Sequence, residues 1–226
     1  MDALVRQIFG RDGLEVWAGD CRAILPGLAF DVLVTDPPYP NNAGHFDADV
    51  ATAVEVLSGY KGREALVFWT ELERPPVNLP LVAVHIWHRT NVNGRPYEPI
   101  YHFAADGRKR RSCVKAYWAI KPGIGPADKE FLGHPTQKPL AVMSWLLQMT
   151  EGRVCDPFCG VGATIAAAHG LNRSAVGIEK RPDWAETAAR RLAQGTLPLS
   201  MANAAPHTGA VAPSVQALVG SSGKEA

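Results

Sequence analysis

Two stretches of this chain place residues capable of chemistry at the ends of short apolar runs. The first is Asp36-Pro37-Pro38-Tyr39, directly after Asp31-Val32-Leu33-Val34-Thr35. Proline lacks a backbone N–H and has a fixed φ, so two in succession end a strand and hold the next residues as a rigid, extended loop. That loop carries a carboxylate and an aromatic ring in fixed relation, and it presents carbonyls without competing donors. It suits a ligand group that only donates hydrogen bonds: Asp36 and the Pro37 carbonyl accept, while Tyr39 offers a face for stacking. The plainer reading makes Asp36 a helix cap and Tyr39 a core residue.

The second stretch runs from Arg153 to Lys180 and reads as strand, glycine loop, helix, strand and acid. Gly160 and Gly162 let the backbone approach a ligand closely, and Gly162 also opens a helix whose amino-terminal dipole favours negative charge. Ala163, Thr164 and Ile165 follow, so the third glycine of a pyrophosphate-binding loop is absent, as is the Gly-Lys-Ser/Thr of a P-loop. Glu179 comes about 20 residues after the loop at the end of the next strand, where a carboxylate accepts from both ribose hydroxyls. A ligand with a ribose, a zwitterionic tail and no phosphate suits this arrangement, and S-adenosylmethionine is one. The competing reading is a tight strand-to-helix turn with an exposed Glu179.

These residues need elements to position them. GLEVWAG, DVLVTD, EALVFW, LVAVHIWH, RVCDPF and SAVGIEK read as strands, and their nearly unbroken apolar runs are those of strands buried on both faces. Helical patterns alternate with them: one from Lys138-Pro139 to Gly152, one from Gly162 to His169, and one over RPDWAETAARRLAQG with Trp184, Ala188 and Leu192 at spacings of four. Trp145, Leu146 and Met149 are expected in the core. The alternation predicts an α/β domain with a mostly parallel, doubly wound sheet. With 226 residues, one domain is expected over 1–195. The Ala-, Pro-, Ser- and Gly-rich remainder, 196–226, reads as a disordered tail.

Hydrophobic content is 46% and charged content 20%, a globular composition. No apolar run approaches a membrane span and no signal-peptide core opens the chain, so a soluble, cytoplasmic protein is expected. The four cysteines, Cys21, Cys113, Cys155 and Cys159, fit neither a disulfide framework nor a zinc ribbon, and no metal site is expected. Net charge is +1, but Arg108, Lys109, Arg110, Arg111, Lys115 and Lys121 face only one acid, Asp106, between Ala104 and Lys121. A charge run of this kind is either a solvated face or a nucleic-acid contact.

Taken together, TDPPY, HPTQKP and DPFCGVGAT resemble the catalytic and paired cofactor motifs of the S-adenosylmethionine-dependent amino-methyltransferases of DNA. The order, with the catalytic motif first and the cofactor loop near the carboxyl end, resembles their circularly permuted β group. LEVWAGDCRAILPGL and WHRTNVNGRPYEPIYHF resemble further segments of that family, so the likeness covers residues from about 14 to 194. It implies a Rossmann-like methyltransferase fold and transfer of a methyl group from S-adenosylmethionine to the N6 amine of a flipped-out adenine in DNA. N4 of cytosine is the alternative within the family; a non-catalytic DNA-binding relic of the fold is the alternative outside it. No residue separates DNA from RNA as substrate.

The resemblance also implies roles. Asp36, Pro37, Pro38 and Tyr39 would be catalytic. Asp156, Pro157, Phe158, Gly160 and Gly162 would surround the methionine part of the cofactor, Glu179 and Lys180 the ribose, and Asp20 with Cys21 the adenine. Asp36 would also touch the cofactor, and Thr136 and Lys138 would meet its carboxylate, whereas His134 reads as a turn residue. The chain has little room for a target-recognition insertion, and 104–133 is the candidate. Its Arg108, Lys109, Arg110, Arg111 and Lys115 would contact double-stranded DNA, phosphates first. So small an insertion fits a short or relaxed target, or recognition shared across a homodimer. The enzyme would work alone or beside a separate restriction endonuclease.

Overall fold

The computed structural model describes residues 5–40, 50–70, 72–92, 96–120 and 130–194. Within them nine strands form one sheet. From one edge to the other the order is β1 (Arg6–Arg11), β2 (Leu14–Ala18), β9 (Ala175–Glu179), β8 (Val154–Asp156), β3 (Val32–Thr35), β4 (Glu64–Phe68), β6 (Tyr97–Ala104), β5 (Leu81–Arg89) and β7 (Val114–Tyr117). β2, β9, β8, β3 and β4 are mutually parallel. β1 pairs antiparallel with β2, β6 antiparallel with both β4 and β5, and β7 parallel with β5. The helices are α1 (Cys21–Ile24), α2 (Val50–Gly59), α3 (Leu140–Leu147), α4 (Ala163–Gly170) and α5 (Pro182–Ala193).

The central strands are buried on both faces, and their side chains alternate between two cores. Val32, Val34, Leu66 and Phe68 pack with residues of α3, α4 and α5, among them Val142, Leu146, Ile165 and Leu192. Leu33, Ala65 and Val67 point the other way, toward Leu57 of α2, Trp69 and Val77. This alternation fixes register, because a slip of one residue would exchange the two cores.

Five elements differ from the sequence-based expectation. β1 is a polar edge strand, α1 is a single turn capped by the Asp20 side chain on the Arg22 amide, and α2 lies in a stretch where no helix is expected. β6 was hidden by Pro99, because proline is rarely found inside a central strand, yet Pro99 sits opposite Ile86 in the middle of the β5–β6 ladder. β7 lies within the candidate recognition segment 104–133, which therefore supplies the last strand of the same sheet. Residues 121–129 of that segment and the tail 196–226 lie outside the described residues.

The parallel strands β2, β3, β4, β8 and β9 all end on one edge of the sheet. Their last residues are followed there by Gly19-Asp20, Asp36-Pro37, Trp69, Pro157-Phe158 and Lys180. In open α/β sheets this edge is where ligands bind.

Candidate active site

Asp36, Pro37 and Pro38 line a cavity of about 370 Å³ at this edge, together with Asp20, Cys21, Lys138, Phe158, Gly160, Glu179 and Trp184. Thr136, Asp156, Pro157 and Lys180 also line it. The two stretches that drew attention in the sequence are thus the two halves of one site.

The Asp36 half is built around buried charge. Lys138, with only 8% of its side chain exposed, forms an ion pair with Asp36 Oδ2. Its Nζ is also 3.5 Å from Glu98 Oε2 and 4.9 Å from the centroid of the Phe68 ring. Glu98 is gripped from behind by Arg89, whose Nη1 donates to Glu98 Oε1 at 2.8 Å. The result is a chain of alternating charge, Arg89–Glu98–Lys138–Asp36. Burial pushes the Asp36 carboxyl above its ordinary value, against the pull of the Lys138 ammonium. Burial also disfavours the ammonium, but the facing carboxylates of Asp36 and Glu98 outweigh it and hold Lys138 charged. Oδ1 of Asp36 is buried and has no hydrogen-bond partner among the described residues. A buried acceptor without a donor is costly, so this oxygen is poised to take one from a ligand.

Tyr39 leaves the cavity wall and packs beside Trp69, ring centroids 5.8 Å apart and planes tilted by 48°. Burial, then the Asp36 charge, raises its hydroxyl to about 12, so the phenol stays neutral.

In the glycine loop, Gly160 has φ 53°, and its amide donates to Glu179 Oε2 at 2.9 Å. Glu179 Oε1 accepts from the Arg181 amide at 2.8 Å, so the carboxylate is fixed by backbone and keeps lone pairs for a ligand. Gly162 plays a different part from the one the sequence suggested. It opens α4 with φ 76°, but a Cβ there would stand 2.8 Å from Ala188 Cβ, and the residue does not line the cavity. Its missing side chain serves the packing of α4 on α5.

Asp156 is a hub of the fold. It accepts from Thr35 Oγ1 at 2.8 Å, from the Phe158 amide at 3.2 Å and, in a short bond, from Thr164 Oγ1. Only 3% of the residue is exposed, and burial pushes its carboxyl up to about 6. It ties β3, the loop and α4 into one unit and so fixes Asp36, the neighbour of Thr35. At the cavity's far end Asp20 is held by Arg22, and the buried Cys21 thiol is raised to about 12 by burial and the Asp20 charge, which leaves it a packing residue.

Residues that the sequence reading missed complete the wall. Trp184, read in the sequence only for its helical spacing, faces the cavity; its ring lies 4.2 Å from the His134 ring, with the Arg181 guanidinium 4.0 Å above it. His134 is therefore more than a turn residue, and burial lowers its imidazole to about 4, so it is neutral. Glu98 lay inside a segment recognised as a whole, YEPI, but nothing in that segment marked it as the partner of Lys138.

The basic cluster does not reach this cavity. Arg108–Arg111 follow the β6 end and run along the opposite edge of the sheet, where Lys109 Nζ donates to the Leu81 carbonyl at 2.6 Å. Arg110 there pairs with Asp106 at 3.2 Å and Glu64 at 3.5 Å. Lys115 is exposed on β7, opposite Trp87 of β5. Among the described residues no helix is long and apolar enough to cross a membrane, and no three His, Cys, Asp or Glu side chains group as a metal site.

Comparison with known proteins agrees with this geometry. The Type II methyltransferase M2.MboI of Moraxella bovis is 35% identical over 80 residues, covering 34% of this chain and 29% of that protein. The Type II methyltransferase M.HindIII of Haemophilus influenzae is 40% identical over 76 residues, 32% of this chain and 24% of its own. The aligned stretches are thus less than a third of those relatives' lengths. Among solved structures, the M1.HpyAVI–SAM complex superposes with a TM-score of 0.60 at 22% identity, over 79% of this chain and 98% of that one. The cytosine-N4-specific PvuII DNA methyltransferase superposes with a TM-score of 0.58 at 13% identity, over 79% of this chain and 86% of that one. Both likenesses establish a methyltransferase fold. The family model described as DNA methylase, of the N6/N4 methyltransferases, matches residues 72–190, more than half of the 226, and the chain belongs to that family.

Proposed function

We propose that this protein is an S-adenosylmethionine-dependent DNA methyltransferase of the permuted β group that modifies the N6 amine of an adenine turned out of the duplex. The observation that carries the reading is the buried, donor-seeking Oδ1 of Asp36 on the wall of a cavity whose other end holds the Gly160–Glu179 pair.

An exocyclic amine is a weak nucleophile because its lone pair is delocalised into the ring. In a flipped base its two N–H bonds find Asp36 Oδ1 and the Pro37 carbonyl, which draw the nitrogen toward tetrahedral geometry and localise the pair. Tyr39, next to the cavity residues Pro37 and Pro38 and packed on Trp69, is the ring that would stack on the base once it is turned toward the cavity. The residues of the other half fit the cofactor: Glu179 keeps acceptor capacity for ribose hydroxyls, and Gly160 lets backbone come close. Asp20, Cys21, Phe158, Pro157, Thr136 and Lys180 line the remaining wall. Bound there, S-adenosylmethionine supplies an electrophilic methyl group on a sulfonium. Asp36 then stands beside the nitrogen as it becomes cationic, stabilises that charge, takes the one proton the nitrogen loses and passes it on to solvent. No group needs to remove the proton beforehand, so the protein contributes alignment and electrostatics.

Cytosine N4 is the second reading, since the same fold serves the cytosine-N4-specific PvuII enzyme. Contact of Arg108, Lys109, Arg110, Arg111 and Lys115 with duplex phosphates belongs to the same proposal. It requires DNA that passes the β7 edge away from the flipped base. A homodimer and a separate endonuclease remain partners to be tested by mass and by co-purification. The deciding experiment is transfer of labelled methyl from S-adenosylmethionine to unmethylated duplex DNA, read by nucleoside mass spectrometry. N6-methyladenine that disappears in Asp36→Ala is the expected result. N4-methylcytosine would move the enzyme to the second reading. Absence of label with the cofactor bound would refute the assignment.

A further inference from the structure

Lys138 and Glu98 have chemistry that the methyl-transfer reading does not use. In that reading the amine of the base meets Asp36 Oδ1, so the adjacent atoms of the base edge must meet whatever lies beside that carboxylate. Beside it lies the Lys138 ammonium, ion-paired to the other oxygen, Oδ2, and lining the same cavity. Asp36 Oδ1 is a buried acceptor and Lys138 Nζ a buried donor, held side by side. An ammonium has three N–H bonds; one serves Asp36, and Glu98 Oε2, 3.5 Å away, is an ionic neighbour that takes no hydrogen bond among the described residues.

Building on the methyltransferase reading, we propose that Lys138 reads the base: it donates to the ring nitrogen next to the amine while Asp36 accepts from the amine. An acceptor and a donor side by side are complementary to a base edge with amine N–H and bare ring nitrogen in sequence. Adenine, with N6–H and N1, and cytosine, with N4–H and N3, both have this edge. Thymine and guanine present the opposite order, a carbonyl beside a protonated ring nitrogen, and would set carbonyl against carboxylate and N–H against ammonium. The pair thus selects amino bases before any methyl transfer can occur. Glu98, itself clamped by Arg89 at 2.8 Å, is a positioning residue that keeps the ammonium at this place. The same two carboxylates draw Lys138 away from the cofactor carboxylate, the role that the sequence suggested for it.

The test uses the full chain and duplex oligonucleotides in which the methylated base is replaced by its deaza analogue, 1-deazaadenine or 3-deazacytosine, which keeps the amine and loses the ring acceptor. Single-turnover transfer by the unaltered enzyme is expected to slow about 10- to 100-fold, the weight of one hydrogen bond to a charged donor. Lys138→Met, which removes the donor, is expected to treat natural and deaza DNA within about threefold of each other, with cofactor affinity measured by calorimetry unchanged. Glu98→Gln is expected to fall between the two in its deaza sensitivity. Because Lys138→Met leaves the buried Asp36 carboxylate unpaired and Glu98 with Arg89 alone, its folding is checked by circular dichroism, and the deaza comparison in the unaltered enzyme stands without it. Undiminished transfer to deaza DNA overturns the proposal, as does a loss of cofactor affinity in Lys138→Met that matches its loss of rate. No transfer to natural DNA overturns the methyltransferase reading itself, and this inference with it.

Discussion

Replacing Asp156 by Asn should make the protein more stable at neutral pH than at pH 4, relative to the unaltered chain. The ordinary carboxyl value is 3.8, and burial raises that of Asp156 to about 6 in the native state. Between these values the native protein holds a proton that the unfolded chain releases. The unaltered protein therefore loses stability as pH rises from about 4 to about 6, and the loss persists above that window. A shift of about two units corresponds to about 3 kcal/mol. Asparagine carries no charge to desolvate. Its carbonyl, in the place of Oδ1, can still accept from the Phe158 amide and the Thr35 hydroxyl, and the Thr164 hydroxyl, which faces Oδ2, can rotate to accept from the new amide.

The difference in unfolding free energy, variant minus unaltered, is the quantity to follow. Asp20 and Asp183, held below the ordinary value by neighbouring arginine side chains, and Asp106, held there by the Arg108 amide and then by Arg110, make stability rise with pH in both proteins and cancel in that difference. Urea denaturation at pH 4 and at pH 7.5, with m-values compared to establish a common transition, should show the difference growing by about 3 kcal/mol. A difference that stays constant between the two pH values would mean that Asp156 is ionised in the fold without penalty. The description of the hub as a desolvated carboxylate would then be wrong.

Two further outcomes follow from the packing. Gly162→Ala should cost about 2 kcal/mol or more, since the left-handed backbone and the Ala188 Cβ at 2.8 Å both reject a side chain; denaturant midpoints would show it. On the far edge, the Cys113 amide donates to His85 Nδ1 at 3.2 Å, so His85 Nε2 donates to His102 Nδ1 and His102 Nε2 donates to Glu64 at 2.7 Å. Glu64→Ala strands that last buried donor and should cost about 1–3 kcal/mol, while Glu64→Gln, which still accepts, should cost clearly less in the same assay.

The apolar runs made the central strands readable, because a strand buried on both faces must be apolar at nearly every position. What could not be read is what depends on distant parts of the chain. Asp156 looks in sequence like a loop carboxylate facing a ligand, and only the fold brings Thr35 from 121 residues away to occupy it. Gly162 looks like a ligand glycine, and only the approach of α5 shows whose side chain fills its space. Lys138 looks like a free cation in a proline-rich turn, yet its partner Asp36 stands 102 residues earlier. Motifs report which residue types gather, whereas pairing among buried charges is decided by which strand ends share an edge.

Glu98 makes the point sharpest. Three of the five parallel strands, β2, β3 and β8, deliver their site residues just past their carboxyl ends, and β9 with its last residue, so a reader of motifs looks there. β6 runs the other way, antiparallel to β4, and it is its amino end, Tyr97-Glu98, that falls on the cavity edge. Reversal of this one strand places a carboxylate behind Lys138; a parallel β6 would have put Ala104 and Ala105 there instead. The residue next in sequence is Pro99, the one that kept β6 from reading as a strand. The feature that hid the strand from pattern thus adjoins the feature that makes it functional, as expected where a site tolerates a break in local rules because the surrounding sheet fixes the backbone.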